Sequence, residues 1–258
     1  MDVVVASDRA KTSEVEWQAR CDLAALYRVC DHLGWTDLID THMSVRVPGE
    51  PTCFLINHYE ETFDEITASR LIKMDLDGRI YGKEGRFNAA GFTIHSGVYK
   101  ARPDANCVMH THTRAGGGVS LLKKGLRPIS QDVMHVYDDL VYHAYGTPAT
   151  VDECEALGET CRKGSHVILR NHGLLTAAPT LPGALRGMYM LERACELELI
   201  ARQLDEEPVM IDDYIVKRFA QRMKELRASP DYGVAYFEAL KRQVERQIER
   251  TGGTDWRQ

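Results

Sequence analysis

The stretch CVMHTHTRAGGG, residues 107–118, sets two histidines two positions apart in an apolar run and follows them with glycines. Residues i and i+2 of a β-strand share one face. A strand over 106–112 therefore places His110 and His112 side by side, with Thr111 turned away. Two neutral imidazoles so arranged can chelate Zn²⁺, Fe²⁺, Mn²⁺ or Co²⁺. The same spacing also suits histidines that are simply hydrogen-bonded at a sheet end. RAGGGV (114–119) is no dinucleotide loop, since it lacks the GxGxxG spacing with its later acidic residue. Its glycines read as permitting close helix packing behind the strand.

On the N-terminal side, Ser13 and Glu16 form a capping pair, and Val15, Ala19, Leu23, Leu26 and Tyr27 recur at helical spacing, predicting a helix over about 13–34. Short β runs follow at 43–47 and 53–56, then a hairpin over 71–82 around the Asp77–Gly78 turn. A helix over about 92–102 stops before Pro103. Beyond the histidine strand the pattern predicts a helix to about 124, a strand over 140–146, a helix over 152–164 and a strand over 166–171. His172 ends that last strand in RNHGLL (170–175), where Gly173 permits a turn that aims the ring into a cleft. A long helix over 180–207 carries Pro182 in its first turn, and amphipathic helices over about 211–228 and 232–250 complete the chain. Strands and helices alternate irregularly, which predicts an α/β (α+β) mixed sheet flanked by helices. We divide the chain into a domain at 1–207 and a helical C-terminal extension, or arm, at 208–258.

Composition narrows the function classes. The 258 residues carry a net charge of −6, which gives no general attraction to nucleic acid or an anionic membrane surface. No apolar run approaches a membrane span, and the N-terminus has no signal-peptide core. The seven cysteines are scattered, with no CxxC pair, as expected of reduced thiols in a cytoplasmic protein.

MSVR (43–46), DEITASRLIKMDLDG (64–78), AGFTIHSGVYKARPDANCVMHTHT (90–113) and LRNHGL (169–174), in this order and spacing, resemble the class II aldolase/adducin family over about residues 13–205. The resemblance implies a central mixed or antiparallel sheet with helices on both sides, and a homotetramer with sites at subunit interfaces. It also implies a divalent metal, zinc foremost, on His110, His112 and His172. Three neutral imidazoles leave the ion its charge and an open position, the arrangement of catalytic sites. Such an ion stabilises the enolate left when a neighbouring C–C bond breaks.

The sugar-phosphate aldolases of the family carry an acid/base Glu about 19 residues before the first HxH histidine; here that position is Gly91. Ala89 and Ala90 stand where their phosphate-binding serines would be, and His42 where an Asn would be. Alanine side chains offer a phosphate no donors, so the chain sits on the adducin-like side of the family. Proton transfer then falls to other groups. His95 is one candidate, the alternative being a helix–sheet packing contact. By resemblance a tyrosine from the 132–142 stretch, such as Tyr137, reaches a neighbouring subunit's site. By resemblance His42 and His58 flank the position where family substrates bind, and Arg114 stands where it can pair with a substrate carboxylate or form a surface salt bridge. The expected activity is a metal-dependent lyase, by aldol cleavage or decarboxylation, on a small non-phosphorylated carbonyl or carboxylate compound. An Fe(II)-dependent oxygenase and a non-catalytic adducin-like module are the alternatives.

Overall fold

The computed structural model describes Arg9 and residues 12–82, 85–147 and 149–258. Its frame is an eight-stranded sheet in the order β4-β3-β2-β1-β5-β8-β7-β6. The strands are β1 (His42–Arg46), β2 (Cys53–Ile56), β3 (Ile72–Asp75), β4 (Ile80–Tyr81), β5 (Cys107–Thr111), β6 (Leu140–His143), β7 (His166–Leu169) and β8 (Gly173–Ala178). Neighbours run antiparallel except β6 and β7, which are parallel. The mixed sheet is the one the sequence predicts.

Helix α1 (Glu14–His32) begins as its capping pair dictates, with the Ser13 hydroxyl accepting from the Glu16 N–H. The turn at 75–79 closes the β3–β4 hairpin, pairing Met74 with Ile80. Helix α2 (Ala89–Ala101) is capped by Asn88, whose side chain accepts from the N–H groups of Ala90 and Gly91. RAGGGVS forms α3 (Arg114–Ser120), shorter than expected, and a single turn follows as α4 (Gln131–Met134). Helix α5 (Val151–Cys161) lies against α2; α6 (Leu181–Ala201) starts at a Thr180 cap with Pro182 in its first turn and ends earlier than its apolar pattern suggests.

The strand missing from the sequence reading is β8. It follows the 170–172 loop directly and occupies the middle of the sheet, pairing with both β5 and β7. Its run GLLTAA is buried almost throughout, so it shows no polar alternation.

Side chains alternate between two cores. Met43, Val45, Cys107 and Met109 face the layer of α1, α3 and α6, while Phe54, Ile56, Val108 and Leu175 face α2 and α5. Helices α7 (Asp213–Arg227) and α8 (Val234–Thr251) are present as expected. Phe237 and Val244 of α8, with Trp256, are buried in the same core as α1 and α6. The Trp256 carbonyl accepts from the Ala68 N–H at 2.8 Å, joining the chain's end to the sheet domain. All seven cysteines are free thiols, and among the described residues no helix is long and apolar enough to cross a membrane.

Candidate metal centre

Antiparallel pairing sets His110 of β5 opposite His42 of β1 on one side and Leu175 of β8 on the other. His112 lies just beyond the end of β5. His172 closes the three-residue loop between β7 and β8, where Asn171 takes the left-handed conformation at φ 58°. Asn tolerates that backbone better than most residues, so Asn171 rather than Gly173 supplies the turn. Gly173 serves another need: a Cβ there would lie 2.3 Å from the Thr111 carbonyl oxygen.

These elements bring the three rings together. His112 Nε2 lies 2.9 Å from His110 Nε2 and 2.9 Å from His172 Nε2. The other ring nitrogens fix the tautomers. His110 Nδ1–H donates to the Leu174 carbonyl at 2.9 Å, and His112 Nδ1–H donates to the Asp37 carboxylate at 2.8 Å. In the neutral rings both Nε2 atoms therefore carry lone pairs. Burial first, and neighbouring histidines second, favour the neutral forms of two of the rings, holding His110 well below its ordinary pKa and pushing His172 down to about 4. The His110 and His112 lone pairs converging at 2.9 Å repel unless a cation lies between them. The donor set thus fits a divalent ion with Nε2 ligation and oriented outer partners. No ion is part of the structure.

Behind the trio a polar line runs into the α2 layer. The His42 and His110 ring centroids are 5.1 Å apart. His42 Nδ1 meets His95 Nε2 at 2.8 Å, His95 Nδ1 meets Ser44 Oγ at 2.5 Å, and Ser44 Oγ meets the Tyr99 hydroxyl at 2.8 Å. All four side chains are buried. Burial lowers His42 strongly and pushes His95 down to about 3, so both are neutral hydrogen-bonding rings near neutral pH. A Cβ at Gly91 would lie 2.7 Å from His42 Cδ2, so the His42 ring fills the space that a side chain at 91 would need.

The trio opens on a cavity of about 320 Å³, lined also by His42, Asp37, Asp40, His143, Glu153 and Arg170. Other residues singled out in the sequence lie elsewhere in the single chain. His95 sits behind His42, one hydrogen bond from the wall. Arg114 is exposed on the first turn of α3 and does not line the cavity. His58 spends its nitrogens on backbone groups, donating to the Tyr59 carbonyl at 2.6 Å and accepting from the Arg86 N–H at 3.2 Å. Tyr137, in a 3₁₀ turn over Tyr137–Asp139, packs against the core on the α6 side. Sequence reasoning passed over Asp37, His143 and Glu153, which carry no motif and reach the site only through tertiary packing. Their one local signal is residue type.

The family model described as the class II aldolase and adducin N-terminal domain matches residues 21–199. The aldolase II superfamily protein from Pseudomonas syringae has a similar structure, with a TM-score of 0.89 and 39% identity over 98% of this chain and 100% of that one. Alpha-adducin of Mus musculus is 40% identical over 199 residues, which is 75% of this chain but 27% of the adducin. L-fuculose 1-phosphate aldolase from Glaciozyma antarctica shares 28% identity and a TM-score of 0.79 over 91% of each chain. The matched segment runs from α1 into α6 and includes all three converging histidines, and the chain belongs to the class II aldolase and adducin N-terminal domain family.

Proposed function

We propose that this protein is a divalent-metal-dependent carbon–carbon lyase acting on a small, non-phosphorylated carbonyl or carboxylate compound. The convergence of His110, His112 and His172 through Nε2, each of the first two held by a hydrogen bond at Nδ1, carries the reading. A similar chain is named as an L-fuculose 1-phosphate aldolase, which favours aldol chemistry. Zinc is the proposed ion, since three imidazoles with an open position suit it.

Held by His110, His112 and His172, a divalent ion would keep its full charge and would supply Lewis acidity toward a substrate carbonyl, easing scission of the adjacent C–C bond. The chain's own residues orient and enclose. Asp37 and the Leu174 carbonyl fix the rings, and the His42–His95 pair closes the inner wall. The cavity is poor in anion donors. Ala90 stands in its wall, and its one arginine, Arg170, donates to the backbone carbonyls of Leu122 and Lys123 and stacks 4.2 Å over Tyr142. Among the described residues of its wall no free guanidinium or lysine is placed to hold a phosphate, which supports a non-phosphorylated substrate.

We also propose a homotetramer in a reducing, cytoplasmic setting. Val209, Met210, Tyr214 and Ile215 form an exposed apolar stretch before and within α7, and the thiols are unpaired. Light scattering at micromolar concentration tests the assembly; a monomer would count against it.

The activity is tested by metal analysis of freshly purified protein, with aldehyde or pyruvate release from hydroxy-keto acids. We expect about one zinc, manganese or cobalt per chain, lost in His110→Ala. Oxygen-sensitive Fe²⁺ would move the reading to an oxygenase, and wild-type protein that takes up no divalent ion would end it.

A further inference from the structure

The metal cavity has a wall that the histidine trio does not use. Glu153, on the first turn of α5, and His143, at the end of β6, both line it. His143 Nε2 lies 3.1 Å from Glu153 Oε1, and His143 Nδ1 lies 2.9 Å from Thr160 Oγ1. The Glu153 side chain is 18% exposed, enough to meet a molecule in the cavity while shielded from bulk water. The loop after β6 makes room for it: a Cβ at Gly146 would fall 1.7 Å from Glu153 Oε2.

We propose that Glu153 is the group that moves a proton to and from the carbon next to the substrate carbonyl, with His143 positioning it. The proposal rests on the lyase reading above. Among the described residues three carboxylates line the cavity. Asp37 is engaged by His112 Nδ1–H, and Asp40 is exposed at the rim, leaving Glu153 as the enclosed one.

The hydrogen bonds around His143 accommodate a proton in either state. Thr160 has one hydroxyl proton and two acceptors in reach, the Ala156 carbonyl at 3.2 Å and His143 Nδ1 at 2.9 Å. When it donates to Nδ1, the imidazole Nε2–H donates to an ionised Glu153. When it turns to Ala156, Nδ1–H donates to the Thr160 oxygen, and one further proton lies between Nε2 and Oε1. The pair gains or loses a proton with its own contacts kept, as a reversible acid/base requires. In the forward step the C–H bond beside the carbonyl breaks, the proton goes to the Glu153 carboxylate, and the electron pair stays with the carbon–carbonyl unit. In the reverse sense Glu153 returns a proton to the carbon left by C–C cleavage, and the C–H bond forms.

The test uses the metal-loaded full chain in D₂O with pyruvate, dihydroxyacetone and glycolaldehyde as probes, following C–H to C–D exchange by NMR. Metal content and melting temperature are measured on the same samples. Glu153→Gln keeps the size of the side chain and its contact with His143. It should hold its metal and its melting temperature while exchange falls at least about a hundredfold, with Glu153→Asp keeping part of the rate. His143→Asn should shift the acid limb of the exchange–pH profile without loss of metal, which a packing role alone would not do. Exchange by Glu153→Gln within a few-fold of wild type overturns the role of Glu153 and leaves the lyase reading standing. Loss of metal together with exchange in that variant also overturns it, assigning Glu153 to site assembly instead. No exchange by metal-loaded wild type with any probe overturns this proposal and the lyase reading together.

Discussion

A methyl group at position 91 would meet His42 Cδ2 at 2.7 Å and Nε2 at 2.9 Å. Gly91 lies within α2, where Ala would ordinarily gain up to about 1 kcal/mol of helix propensity. The ring it would strike is buried and bonded to His95, so it has little freedom to yield. We expect Gly91→Ala to destabilise by about 1–3 kcal/mol instead, read as a lower urea midpoint, and His42→Ala in the same chain to recover much of that loss. A Gly91→Ala chain more stable than wild type would show that the ring moves aside. The sequence makes the absence of a carboxylate at 91 legible, and it flags His42. It does not show that the two positions interlock, because that follows from the β1–α2 distance. Likewise the HxH pair and His172 are visible as motifs, whereas Asp37, 75 positions from His112, becomes an outer partner only in the folded chain.

At the scale of elements, periodicity located seven of the eight strands and every long helix, because amphipathic faces and caps are local properties. Strand β8 escaped because a central strand buried on both faces shows no alternation, and Ala177 and Ala178 have low strand preference. The last helices were legible as helices, and their docking was not. Trp256 is 2% exposed, and its carbonyl bonds to Ala68 beside the 3₁₀ turn Ala68–Arg70. Trp256→Ala therefore opens a cavity among α1, α6 and α8 and should cost about 3–5 kcal/mol. Thermal unfolding checks this. A melting temperature equal to wild type would mean that the C-terminal segment contributes nothing to the stability of the sheet domain.

For the whole molecule, the site ties stability to proton concentration and, with the proposed ion bound, to metal concentration. In the metal-free chain His42, His95, His110 and His172 are all depressed below the ordinary 6.5, chiefly by burial. In the unfolded chain each takes up a proton near pH 6.5. As pH falls below that value the unfolded state gains protons that the folded state refuses, and stability declines by at most about 1.4 kcal/mol per histidine per pH unit. For His172 the decline continues to about pH 4 and for His95 to about pH 3, where the folded forms begin to protonate. Between pH 7.0 and 5.5 ordinary carboxylates stay ionised in the unfolded chain, so the protons that the unfolded chain's side chains gain in this interval go to its histidines. Chelator-treated protein should lose urea midpoint steadily across it, and His95→Gln should lose less. Metal-loaded protein should stand above it at pH 7, by about 2.7 kcal/mol when free metal is 100 times its dissociation constant. That advantage should shrink with acid, because ligand histidines must be neutral to bind. A metal-free midpoint constant from pH 7.0 to 5.5 would show that the four rings titrate as they do in the unfolded chain, contrary to their burial.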